Sequence, residues 1–201
     1  MKLNFHRLAV TAGLAAALAL PAIAGTTTWQ IDPMHSSAQF AVTHLMLSTV
    51  RGEFHGLKGT LNLDDKDITK STVEVTIDVN SVDTQEPNRD AHLKSPDFFD
   101  LDKYPTMTFV SKSAKKAAHG LDVSGDLTLH GVTKPVVLHV SDISKEIKDP
   151  MGLLRRGATA TTVVDRKDFG LLWNKNLDGG GVLIGDEVTI TIDIEVVRKP
   201  A

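Results

Sequence analysis

From Thr72 to Val79 the chain alternates without error: Val73, Val75, Ile77 and Val79 recur at every second residue, separated by Glu74, Thr76 and Asp78. Alternate side chains of a strand point to opposite faces, so this spacing predicts a strand with one dry side and one wet side. Glu187 to Val196 repeats the pattern with Val188, Ile190, Ile192, Ile194 and Val196. Weaker versions run through Ala38-Phe40-Val42, Leu57-Gly59-Leu61-Leu63, Met107-Phe109, Leu121-Val123, Leu127-Leu129, Val136-Leu138-Val140 and Ala158-Ala160 with Val164. Gly, Asp, Asn and Lys-Pro punctuate them as turns. Parallel sheets are covered on both faces and read as continuous apolar runs, so one-faced strands without a βαβ rhythm predict an antiparallel all-β domain. About eight such strands must hide their apolar faces in a two-sheet sandwich or a sheet closed on itself. One helical stretch is predicted around Asn88 to Asp100, with Ser95 as cap, Pro96 in the first helical position and Pro105 as its end. That places Phe98 and Phe99 on a short helix at one end of the β structure.

The first 24 residues break the period of two. Lys2, His6 and Arg7 precede an apolar run from Leu8 to Leu20, then Pro21 and an Ala22-Ile23-Ala24 cleavage pattern. This is the signature of a cleaved export signal, too short to span a bilayer, so residues 1–24 are expected to be removed and 25–201 to form a single domain without a membrane anchor.

Composition narrows the chemistry. Among 201 residues there is no cysteine, which excludes disulfides, thiolate metal sites and cysteine nucleophiles. A net charge of -3, with basic residues scattered, gives no electrostatic reason to bind nucleic acid. The eight histidines form no metal-ligand spacing; His44 is in phase with Phe40 and Val42, whereas His130 opens a His-Gly turn and is expected to meet solvent. No G-x-S-x-G elbow is present, and the run Gly179-Gly180-Gly181 leads toward a strand rather than a helix. The carboxylates, Asp97, Asp100 and Asp102 among them, fall on polar strand faces or in turns, where they are expected to be solvated or to cap backbone. Neither metal nor organic cofactor is expected. What remains is an apolar interior. Inward candidates such as Ala38, Gly59, Gly125, Ala158 and Ala160 are small, and large plugs are few, a balance that favours a ligand cavity over a filled core.

Several strings carry a family resemblance. They are Trp29-Gln30-Ile31-Asp32-Pro33-Met34-His35-Ser36, Phe40-Ala41-Val42-Thr43-His44-Leu45-Met46 and Val50-Arg51-Gly52-Glu53-Phe54. Later come Asn88-Arg89-Asp90-Ala91-His92-Leu93, Ser95-Pro96-Asp97-Phe98-Phe99-Asp100, Tyr104 to Phe109, Gly125 to Thr133 and Arg166 to Leu171. Together, in this order, the chain resembles the YceI family. The resemblance implies an exported, periplasmic protein with an extended, eight-stranded antiparallel lipocalin-like barrel and one or two short helices near its mouth. It implies a barrel interior that holds a polyisoprenoid, such as an isoprenoid quinone, for transport, storage or protection, with no reaction catalysed. Family members are often dimeric, so a homodimer is an expectation.

Within the matching blocks, strand phase assigns Phe40, Val42, His44, Phe54, Phe98, Phe99, Met107, Phe109, Leu127, Leu129, Phe169 and Trp173 to the ligand pocket. His44, or the Trp173 indole N–H, is expected to meet a polar head group, since a buried polar atom in an apolar pocket needs a partner. Arg89-Asp90 and Asp126/Arg166 are expected to be structural pairs or turn stabilisers rather than ligand contacts. Two other functions compete: a hydrolase acting on a lipid or amide through His44 and His35, and a structural or stress-response protein with a filled core.

Overall fold

A computed structural model describes residues 25–200; the expected leader lies outside the described residues. The strands are β1 (Thr26–Ile31), β2 (Ser37–His44), β3 (Ser48–Phe54), β4 (Lys58–Asp64), β5 (Thr72–Asp78), β6 (Thr106–Ala117), β7 (Gly120–Leu129), β8 (Val132–Ser141), the two-residue β9 (Ile147–Lys148), β10 (Leu154–Asp165) and β11 (Ile184–Arg198). Every pairing is antiparallel. The hydrogen-bonded order β11-β1-β4-β5-β6-β7-β8-β10 returns to β11, so the sheet closes on itself as an eight-stranded barrel. Closure, one of the two solutions the alternation allowed, leaves no edge along most of the ring.

Two walls of this barrel are broken strands. β1 and β2 occupy successive stretches of one edge of β11: Gln30 and Ile31 pair with Val197 and Val196, then Ser37 to His44 pair with Asp193 to Ile184. β4 and β3 follow them in the same way. The break falls at Asp32-Pro33, where proline has no N–H for a ladder. Hydrogen bonds bridge it, because Asp32 N donates to Glu195 O (2.8 Å) and Glu195 N donates to Ser36 Oγ (2.9 Å).

The helix differs from the expectation. It is α1 (Pro87–Lys94), and Ser95 closes it instead of opening it. Glu86 is the N-cap, its carboxylate accepting from Asn88 N (3.2 Å) and Arg89 N (2.6 Å), while Pro87 takes the first turn, where its missing N–H costs nothing. Ser95 N returns to His92 O, and Pro96 cannot extend the helix. Phe98 and Phe99 therefore sit in the turn that follows α1.

Large side chains fill the ends. Trp29, Phe169 and Val79 are fully buried within one apolar cluster. Midway along the barrel the packing thins: Ile190, Ile192 and Ile194 point inward from β11 yet are only partly buried, because they face open space.

Candidate functional site

That space is a cavity of about 470 Å³ running along the barrel interior. Register fixes its course. His44 pairs with Ile184 at one end of β11, and Arg156 pairs with Val196 near the other, and all four residues line it. Near the His44 end the wall is completed by Leu183, Trp173, α1 and the turn after it; near the Arg156 end, by Ile68, Ser71 and Ile143. The lining between is almost wholly aliphatic and aromatic, the character of a site for an apolar ligand.

Of the residues that strand phase assigned to the pocket, Phe40, Val42, His44, Phe54, Phe98, Phe99, Met107, Phe109, Leu127, Leu129 and Trp173 lie on this wall. Phe169 does not. It sits on a 3₁₀ turn (Arg166–Phe169), wholly buried, and borders a separate depression outside the barrel between β8 and β10. Those strands pair only from Thr159 to Thr161, and the 3₁₀ turn packs into the gap below. Phase could not detect this, since Phe169 lies beyond the end of β10.

Aromatic rings organise the His44 end. His92 stands edge-on to both Phe98 and Trp173, each at 5.0 Å, and Phe98 lies 5.2 Å from Trp173. A second chain runs from Phe40 to Phe54 (5.7 Å) and Phe54 to Phe99 (5.6 Å). Gly52 makes room for it, because a Cβ there would sit 2.5 Å from the Phe40 ring. Gly125 does the same for Phe109, and at Gly59 a Cβ would meet the Glu74 carbonyl at 1.9 Å. The space these two glycines leave is therefore already occupied; of the small inward candidates, Ala38, Ala158 and Ala160 border the cavity.

Sequence phase missed Thr84, Arg89 and His92, which reach the cavity from α1 and the loop before it. The expected Arg89-Asp90 pair is a clamp on Thr84: Arg89 Nε donates to Thr84 Oγ1 (2.7 Å), and Asp90 accepts from Thr84 N (2.9 Å). Arg166 does not pair with Asp126, which faces Lys112 instead. Nearly buried, Arg166 donates to the carbonyls of Gly185, Leu171 and Trp173 and faces Asp186, tying the Trp173 segment to β11. Two surface expectations also change. His130 packs edge-on to Tyr104 at 4.7 Å, and Asp100 is buried against Lys103 at 2.7 Å.

Outside the barrel, at the Asp32 break, lies an ion knot. The Arg155 guanidinium reaches Asp32 (2.6 Å), Asp149 (2.7 Å) and Glu195, and His35 Nδ1 lies 3.0 Å from Asp32. Arg155 holds the Asp32 carboxyl down at about 2, and the three carboxylates raise Arg155 in turn. Asp32, His35 and Glu195 are close enough to hold a cation, but the Arg155 guanidinium already engages both carboxylates. His35 and His44 flank β2, roughly 20 Å or more apart at the rise of a strand, so they do not converge on one substrate group. Among the described residues, no helix is long and apolar enough to cross a membrane.

The geometry has counterparts. A family model described as the YceI-like domain matches residues 29–196. The Escherichia coli protein YceI is 40% identical over 168 residues, 84% of each chain. The crystal structure of a Campylobacter jejuni YCEI protein, 30% identical, superposes with a TM-score of 0.66 and covers 79% of this chain and 90% of its own. A polyisoprenoid binding domain from Saccharophagus degradans, 19% identical, reaches a TM-score of 0.62 over 86% of this chain and 98% of its own, a likeness of fold alone.

Proposed function

The chain belongs to the YceI-like family, and from that premise we propose that it is an exported carrier that holds the apolar chain of a polyisoprenoid, such as an isoprenoid quinone, in its lumen without transforming it. The observation that carries this reading is the hollow barrel: a cavity of about 470 Å³ walled largely by Leu, Val, Ile, Met and Phe. Each Å² of apolar ligand surface removed from water there contributes about 25 cal/mol, and a cavity that extends along β11 from His44 to Arg156 suits a chain. The polyisoprenoid binding described for the Saccharophagus degradans domain supports the same ligand class on a shared fold. A carrier needs few polar groups at its wall, and those of Arg166, Arg89 and His92 are engaged by protein partners.

The filled-core alternative loses its premise to the cavity, and the hydrolase alternative loses its pair of histidines to opposite ends of β2. Residues 1–24 are the export leader in this reading, so cell fractionation places the protein in the periplasm and N-terminal sequencing begins at Gly25. The ligand itself is tested by extracting protein purified from its native cells with organic solvent and analysing the extract by mass spectrometry. The expected result is an isoprenoid lipid at about one per chain. Repeated extraction of nothing, from protein that also takes up no added quinone, contradicts the reading.

A further inference from the structure

The turn between β2 and β3 is made of the wrong residues for a turn. It is Leu45-Met46-Leu47, bounded by the paired residues His44 and Ser48. Leu45 and Met46 both adopt positive φ, 52° and 60°, a conformation that suits Gly, Asn or Asp and strains a bulky side chain. Met46 is 64% and Leu47 85% exposed. Apolar side chains held in water by a strained backbone break two local rules at once, and such breaks mark functional sites. From Thr43 to Val50 the hairpin also carries no Asp, Glu, Lys or Arg.

The hairpin projects beyond the barrel. β10 ends at Asp165, opposite Glu187 of β11, whereas His44 pairs with Ile184 farther on, roughly 10 Å beyond at the rise of a strand. β3 is the last strand of the sheet, and among the described residues its outer edge makes one bridge, Glu53 to Asp83. Beneath the tip, Thr43, His44, Leu183 and Ile184 line the cavity, but Met46 and Leu47 do not. The segment after the 3₁₀ turn adds to the same end. Leu171 and Trp173 line the cavity, while Leu172 between them is 65% exposed, and Lys175 Nζ lies 5.8 Å from the Trp173 ring. Leu45 N donates to Leu183 O (2.8 Å), which ties the tip to this segment.

Three apolar side chains on a narrow convex tip fall well short of the roughly 800 Å² per partner of a stable protein interface. A bilayer asks for less, since each apolar side chain that enters it contributes separately, and a lysine beside an aromatic ring can keep its ammonium among the headgroups. The cargo of the lumen also has its source there, because a polyisoprenoid chain dissolves in bilayers and not in water. We propose that the Leu45-Met46-Leu47 tip, with Leu172, is a membrane-docking surface, which inserts into a phospholipid bilayer and sets the His44 end of the lumen against it for exchange of cargo. The exchange rests on the carrier reading; contact of the tip with a bilayer is measured apart from it.

Vesicles of phosphatidylethanolamine and phosphatidylglycerol carrying ubiquinone, mixed with delipidated full-length mature protein and then spun down, report the rate at which the protein carries quinone off. Met46→Ser/Leu47→Ser is expected to lower that rate about tenfold or more, while its affinity for ubiquinone added from ethanol stays within about twofold of wild type, because neither side chain lines the cavity. In Leu47→Trp the added indole is expected to be quenched by vesicles with brominated acyl chains, beyond any change seen in wild type. An unchanged rate in the double variant, or no added quenching in Leu47→Trp, overturns membrane docking while the lumen reading stands. Loss of a dimer in the double variant at an unchanged rate assigns the tip to a second copy of the chain and overturns docking equally. Ubiquinone that binds by neither route contradicts the carrier reading, and the quenching in Leu47→Trp then decides docking alone.

Discussion

The two ends of the barrel and its middle are built from the same kinds of residue, yet one is solid and the other hollow. At the ends Trp29, Phe169 and Val79 have almost no exposed surface. In the middle Ile190, Ile192 and Ile194 keep accessible faces although they point inward from the longest strand. The difference teaches that burial along this sheet is set by what stands opposite, not by side-chain character. Closed walls are held from outside and at the ends, by the Arg155 knot and the large plugs, so the centre can remain underfilled at low cost to the frame.

Truncation should separate the regions most sharply. Trp29→Ala removes a fully packed plug and is expected to cost about 4 kcal/mol in denaturant unfolding. The outer frame comes next. Asp32→Ala leaves Arg155 without one of its carboxylates and is expected to cost about 3 kcal/mol, lowering the melting temperature by roughly 6 to 12 °C. Ile192→Ala removes a side chain that already borders a void, and a loss below about 2 kcal/mol is expected. Equal losses for Trp29→Ala and Ile192→Ala would erase the distinction between plug and lumen.

Smaller still is the effect of adding volume. Ala158→Phe would cost about 1 to 3 kcal/mol in a close-packed core, but pointing into the cavity it is expected to change stability by less than about 1 kcal/mol while sharply reducing uptake of a prenyl chain. Acid acts on the frame. The Asp32 carboxyl ionises at about 2 in the folded protein against 3.8 when free, so its contribution is complete above about pH 4 and lost as pH falls toward 2. Thermal unfolding of wild type should therefore weaken through that window, and Asp32→Ala should flatten the slope.

The one-faced strands were legible because alternation is a local property: Val73, Val75 and Ile77 announce their face within a few residues. Phase then placed eleven of the twelve expected pocket residues on the cavity wall, with Phe169 the exception because it belongs to the turn after β10. Closure itself was legible only as one of two ways to hide apolar faces, and the family resemblance supplied the choice. Whether the interior is hollow depends on long-range neighbours. Gly125 looks like empty space in the sequence, but Phe109 from the adjacent strand fills it. The Arg155–Asp32 contact joins residues 123 positions apart, and nothing in Arg155-Arg156 says that one guanidinium meets three carboxylates outside while the other side chain borders the cavity. Ser95-Pro96 misled for a different reason: serine before proline suits a helix start, but here Glu86-Pro87 had already started one that Ser95 ends.

The most direct test of the hollow lumen is titration of delipidated protein with an isoprenoid quinone, followed by quenching of tryptophan fluorescence, since Trp173 lines the cavity and Trp29 lies outside its lining. The account predicts saturable quenching at one quinone per chain, largely lost in Trp173→Phe and shifted to much weaker binding in Ala158→Phe. Quenching that never saturates, or that is unchanged when Ala158→Phe fills the lumen, would contradict it.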